Sequence, residues 1–407
     1  MSELSFQDIE TWLDQLSGAS EAPTPSSTLS SPFSTTSGYR QKRRVSMASE
    51  RDSSPSKRPR IADDRSITSE ISLRSTTTIL RQVTPTRDIL NQLRLADPSV
   101  VCGPLALSPT PDSVIALRKC LTDGFGHNIV PRGLESRIRA YDPYSADEIP
   151  QTAFSDSSTL SDAVLEEVWS GLKTICFDAR QCDIYGKDEN AWCLDVVQPI
   201  LNSSIKGCQL LQLISMQSQH IDQSLLPKSK NGLSKISKKA DYTLSFTCRD
   251  NPVRYFYDKI SLGGHGYQLS QTTDAFTKRI LLFSGMEVKS DEGSKKEALA
   301  QLAIWLAAGL EKIRRLGEQV KGEGERSVDW LLPSIGITII GHDWYTYLAY
   351  KNGNEVHVVG PVSAIVTDTR TIHGILKVHD LVRRVADYAI QVYWPWIRDE
   401  ILQPLAA

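Results

Sequence analysis

The chain has 407 residues, about three times the usual size of one domain, which allows two compact units or one large unit with tails. Its 40% hydrophobic and 23% charged residues exclude a wholly disordered, collagen-like or coiled-coil chain. The formal net charge of −2 hides a local +6 over residues 40–60, so the remainder stands at −8 and is no generically basic nucleic-acid binder.

Residues 1–79 are expected to form a disordered tail, because Ser and Thr dominate and too few large apolar groups occur to offset the entropy of ordering. The first residues lack the basic start and apolar run of a secretory signal, and no run of about 18 apolar residues follows anywhere, so a soluble intracellular protein without a membrane segment is expected. Two features stand out in the tail. Ile9, Trp12, Leu13 and Leu16 fall at i, i+3, i+4 and i+7, one apolar face of a short helix suited to a groove on a partner or on its own domain. Lys42, Arg43 and Arg44 precede Lys57, Arg58 and Arg60 by about a dozen residues, the spacing of a bipartite signal read by a nuclear import receptor, which predicts a nuclear protein.

Residues 80–157 read as a helical lead-in, with helices over 80–96, 112–123 and 131–141 separated by prolines. A folded domain is expected over 158–405. Two helices open it, over 158–182 and 188–203, the first with Leu160, Val164, Val168, Leu172 and Ile175 on one face. Strands are expected at 242–246, at 280–283 running on to 286–289, at 335–340, 344–350 and 356–359. A helix over 294–319 separates the second and third of these, and an aromatic-rich helix over 371–402 ends the chain. This order points to an α/β fold, a mixed central sheet flanked by helices. The seven cysteines form no CxxC pair and have no His at zinc-finger spacing, so reduced thiols are expected rather than a metal cluster.

Asp241 opens one strand, and Glu287-Val288-Lys289 ends the next. Strand side chains alternate, so Glu287 and Lys289 share a face while Val288 points to the other. If the strands are neighbours, two carboxylates converge beside an ammonium. Hard oxygen ligands of this kind suit Mg2+, and a lysine beside the ion can orient water and stabilise charge developing at phosphorus. Spacing alone also permits an ordinary solvent-facing ion pair on an edge strand, and Gly341-His342-Asp343-Trp344 reads as a hairpin turn before it reads as a His/Asp pair.

The ordered set resembles the PD-(D/E)XK nuclease superfamily, and more narrowly the PD-(D/E)XK nuclease-like proteins of filamentous fungi. The residues that carry the likeness are Asp188-Glu189-Asn190-Ala191-Trp192, Lys239-Ala240-Asp241-Tyr242, Glu287-Val288-Lys289 and the helix from Glu297 to Trp305, over a span of 90–402. Ala240 stands where the motif name has proline. The resemblance implies a four-stranded mixed sheet with the acids at one edge and a Mg2+-dependent nuclease acting on DNA or RNA. It implies Asp241 and Glu287 as metal ligands, Lys289 serving the water, Glu189 as an acid from the preceding helix, and Gln301 at the site from the following one. A non-catalytic nuclear binding or scaffold module that keeps the fold is the alternative.

Overall fold

The computed structural model describes residues 85–104, 110–155, 160–229, 240–263, 268–321 and 330–407. The tail's expected apolar helix, both basic clusters, the lysines of 230–239 and residues 264–266 lie outside the described residues.

A mixed eight-stranded sheet forms the centre, made of β1 (Ser99–Gly103), β2 (Leu211–Ser215), β3 (Tyr242–Phe246), β4 (Leu282–Lys289), β5 (Ser334–Ile340), β6 (Asp343–Asn352), β7 (Glu355–Val359) and β8 (Thr367–Asp368). Its order is β1-β7-β6-β5-β4-β3-β2, with β8 paired to β6. The β4–β5 and β7–β1 pairs are parallel and the others antiparallel. Four of its flanking helices are α1 (Asp162–Ile184), α2 (residues 189–204, with a π-helical stretch at Trp192–Val197), α3 (Lys295–Lys321) and α4 (Ile372–Tyr388). Among the described residues no helix is long and apolar enough to cross a membrane.

The mixed sheet flanked by helices is the fold read from the element order, but it is wider than the four strands that the resemblance implied. Three strands of the sheet went unread, one of them the two-residue Thr367–Asp368. Leu211–Ser215 is short and hydrogen-bonds along Tyr242–Phe246. Ser99–Gly103, inside the stretch read as a helical lead-in, pairs in parallel with Glu355–Val359, some 250 residues away. The acids consequently sit on interior strands, not at a sheet edge. The span between β3 and β4 includes a helix, Asn251–Leu262, whose start is fixed by Asp250 accepting from the Val253 N–H at 3.1 Å.

Strand β4 joins the two apolar runs read at 280–283 and 286–289 through an irregularity. Tyr242 pairs with Met286 but Leu244 pairs with Phe283, so two steps on β3 face three on β4, and Ser284 takes φ 75°. This bulge switches the alternation. Phe283 turns to the aromatic rings of Tyr388 and Tyr393, at 6.0 and 4.7 Å, while Gly285 turns to α3. A Cβ at Gly285 would lie 2.3 Å from Trp305, so glycine is what lets α3 lie close, and the Trp305 indole N–H donates to the Ser284 carbonyl at 3.0 Å. Glu287 and Lys289 follow Gly285 on the α3 side.

The far half of α3 is tied to the sheet by charge. Glu311, 7% exposed, accepts from Lys351 of β6 at 2.9 Å, from Arg314 at 2.8 and 2.9 Å and from Arg315 at 3.0 Å. Burial alone would raise its carboxyl, but these cations outweigh it and hold Glu311 at about 2 instead of 4.5. A depressed folded pKa contributes stability above the unfolded value that is lost as pH falls through the folded one. Glu311→Gln therefore lowers the melting temperature at pH 7, and the gap to wild type closes between pH 4.5 and about 2. A gap that does not change over that window in thermal scans contradicts the ion network as its source.

Candidate active site

Three elements deliver the site. Asp241 is clamped by its backbone as it enters β3: its N–H donates to the Met286 carbonyl at 2.9 Å, and its carbonyl accepts from the Met216 N–H at 2.7 Å. The Asp241 Oδ2 accepts from the Val288 N–H at 2.8 Å, and the Gln217 side chain, just past β2, bonds the same carboxylate. Glu287 and Lys289 come from the end of β4. Glu189 is the first residue of α2, placed by Asp188, whose side chain accepts from the Ala191 N–H at 2.9 Å.

Lys289 Nζ donates to Glu287 Oε1 at 2.7 Å and to Glu189 Oε2 at 2.9 Å. Glu287 is 1% exposed and Asp241 7%, whereas the Glu189 side chain is 43% exposed and forms the open side. The alternation of Glu287 and Lys289 holds, but the pair is buried in the sheet's interior and is no solvent-facing edge pair. Glu287 Oε2 is buried without a hydrogen-bond partner. One oxygen from each of Glu189, Asp241 and Glu287 lies within 4.8 Å of the others.

The electrostatics follow from that enclosure. Burial pushes the Glu287 carboxyl well above the usual range, and the Asp241 charge adds to the push against the pull of Lys289. Burial also raises Asp241, more than the Val288 N–H lowers it. For Lys289 burial acts downward, but the Glu287 charge and the bonds to Glu287 and Glu189 outweigh it and hold the ammonium above the ordinary lysine value. Three carboxylates against one ammonium leave a formal −2, which a divalent cation would neutralise. An orphaned buried oxygen, hard donors on three converging side chains and that charge together fit a hard divalent cation.

Of the five residues expected at the site, Glu189, Asp241, Glu287 and Lys289 meet. Gln301 is on α3, one turn from Trp305, but its Nε2 donates to Glu297 Oε1 at 3.1 Å and makes no hydrogen bond to the other four. The residue that sequence reading missed is Gln217, which carries no motif and gains its place only from the end of β2. Gly341-His342 is the hairpin turn between β5 and β6, with Gly341 at φ 53° and its N–H donating to the Lys289 carbonyl at 2.9 Å. His342 bonds Thr369 at 2.9 Å while Asp343 is held by Arg370, so the two form no catalytic pair.

A sheet that buries a carboxylate pair and a lysine at the end of an interior strand, flanked by helices that supply a further acid, defines a nuclease-like α/β core. The chain belongs to the PD-(D/E)XK nuclease superfamily, whose family model matches residues 138–394. No curated protein and no solved structure matches it.

Proposed function

We propose that this chain is a Mg2+-dependent nuclease that hydrolyses phosphodiester bonds of DNA or RNA. The observation that carries the reading is the partnerless Glu287 Oε2, buried beside Asp241 and across from Lys289 in a member of this superfamily. Asp241 and Glu287 would hold the ion, with Glu189 adding an oxygen from the open side. Bound there, Mg2+ would supply a Lewis acid that polarises a phosphoryl oxygen and lowers the pKa of water. Lys289, fixed by two carboxylates, keeps a full positive charge where negative charge builds on the phosphate and donates to the oxygen that carries it. The Val288 N–H holds the Asp241 carboxylate in one rotamer, so it meets the ion without reorganising.

The test is incubation of the full chain with single-stranded, duplex and branched DNA and with RNA, in Mg2+ and in EDTA. Cleavage in Mg2+ alone is expected. A folded protein inert on all of them would leave the non-catalytic binding module in its place.

The nuclear reading is proposed on the two basic clusters, Lys42-Arg43-Arg44 and Lys57-Arg58-Pro59-Arg60, as contacts for an import receptor. Deleting residues 40–60 should shift a fluorescent fusion from nucleus to cytoplasm. A fusion that stays nuclear sinks this reading without touching the chemistry.

A further inference from the structure

A row of side chains crosses the sheet level with the acids. Glu287 of β4 is paired with Thr338 of β5, and Thr338 with Tyr345 of β6. Register partners project to the same face, and two neighbouring pairs show that this face carries α3. Gly285 meets Trp305, and Lys351, six residues beyond Tyr345 on the same strand, reaches Glu311. At roughly 4.8 Å per strand, Tyr345 stands about 10 Å from Glu287. Along the row the enclosure loosens: Glu287 and Thr338 are buried, whereas Tyr345 is half-exposed.

The ring of Tyr345 is already occupied by a cation. Lys295, the first residue of α3 and itself exposed, places Nζ 3.2 Å from the ring centroid. Asp343, whose charge reaches both Lys295 and Tyr345, is taken up by the Arg370 guanidinium through both carboxylate oxygens, so it is answered before any phosphate approaches. An aromatic face and an exposed lysine, side by side about 10 Å from the carboxylates, are the two groups that match the chemistry of a nucleotide: a base to stack and a phosphate to neutralise.

We propose that Tyr345 and Lys295 form a subsite for one unpaired nucleotide of the substrate strand, close to the scissile bond. The base stacks on Tyr345 as the Lys295 ammonium leaves the ring for the phosphate. Inside a duplex the base faces are taken by their neighbours, so the subsite selects single-stranded or locally opened nucleic acid. This inference rests on the nuclease reading and adds the substrate class to it.

The experiment measures binding, without cleavage, by fluorescence anisotropy of labelled single-stranded DNA, RNA of the same sequence and duplex DNA to the full chain in EDTA. Tyr345→Ala should weaken single-strand binding about tenfold or more, with duplex affinity unchanged and Tyr345→Phe close to wild type. Lys295→Gln, an exposed substitution at a helix start, should reduce the slope of log affinity against log salt by about 0.7, one phosphate contact on a single strand. The DNA and RNA arms tell which sugar the subsite accepts. Thermal melts of each variant separate a folding defect from loss of the stacking surface. Folded variants that bind single strands like wild type overturn the subsite and leave the nuclease reading intact, as does an equal loss on duplex. A wild type that binds no nucleic acid overturns the subsite, while cleavage in Mg2+ decides the nuclease reading.

Discussion

Asp241→Asn and Glu287→Gln should each lower Mg2+-dependent cleavage by about a thousandfold, some 4 kcal/mol of lost transition-state stabilisation. Both carboxylates are buried, and each is expected to supply an oxygen to the ion. The two variants diverge in stability when no metal is present. An acid whose folded pKa is raised costs the fold stability once pH exceeds the unfolded value, near 3.8 for Asp241, and the cost grows as pH rises toward the folded value. The amide of Asp241→Asn escapes this penalty while its oxygen can still accept from the Val288 N–H. Its metal-free melting temperature should therefore exceed that of wild type at pH 7 and match it near pH 3.5. Glu287→Gln also removes a partner of Lys289, so its gain is smaller. A metal-free Asp241→Asn that melts well below wild type at pH 7 would show that the carboxylate stabilises the fold, not the ion.

Lys289→Met should act in the opposite direction on stability and on metal affinity. The lysine is the ammonium that answers buried Glu287, and removing one partner of a buried ion pair costs about 3 kcal/mol or more. Metal-free stability falls. Turnover falls too, by about a hundredfold or more, because the donor at the phosphate is gone. Mg2+ affinity, however, should hold or rise, since the variant leaves a formal −3 and frees the Glu287 and Glu189 oxygens that Lys289 occupies. Mg2+ should accordingly raise the melting temperature of Lys289→Met more than that of wild type, as mass action requires of a tighter ligand. Calorimetry and thermal scans with and without Mg2+ check both halves, and a Lys289→Met that neither binds nor is stabilised by Mg2+ counts against the assigned roles.

What could be read in the residues was what neighbours in sequence decide. Tyr242–Phe246 matches its expected bounds residue for residue, because alternation and turn residues are local. The shared side of Glu287 and Lys289 follows from a period of two. The acid of Glu189 was legible only through the resemblance carried by Asp188-Glu189-Asn190-Ala191-Trp192 at the start of a helix. Burial was not legible, because it is produced by α3 lying over Gly285 and by four strands on one side of β4, none of them encoded near Glu287. For the same reason the ion pair could pass for a surface pair. The bulge at Ser284 left only a faint trace, two apolar runs out of phase around Ser284-Gly285, and it decides which face the acid takes. Ser99–Gly103 was missed because its partner strand is distant in sequence and its own five residues carry only two valines. Gln217 and the pairing of Lys295 with Tyr345 exist only once distant strands are in register.

The most direct measurement is calorimetric titration of Mg2+ into the wild-type full chain and into Asp241→Asn, each shown to be folded by its thermal transition. The site built from Asp241, Glu287 and Glu189 predicts saturable binding to wild type and none to Asp241→Asn. No binding by the folded wild type, or equal binding by both proteins, contradicts it.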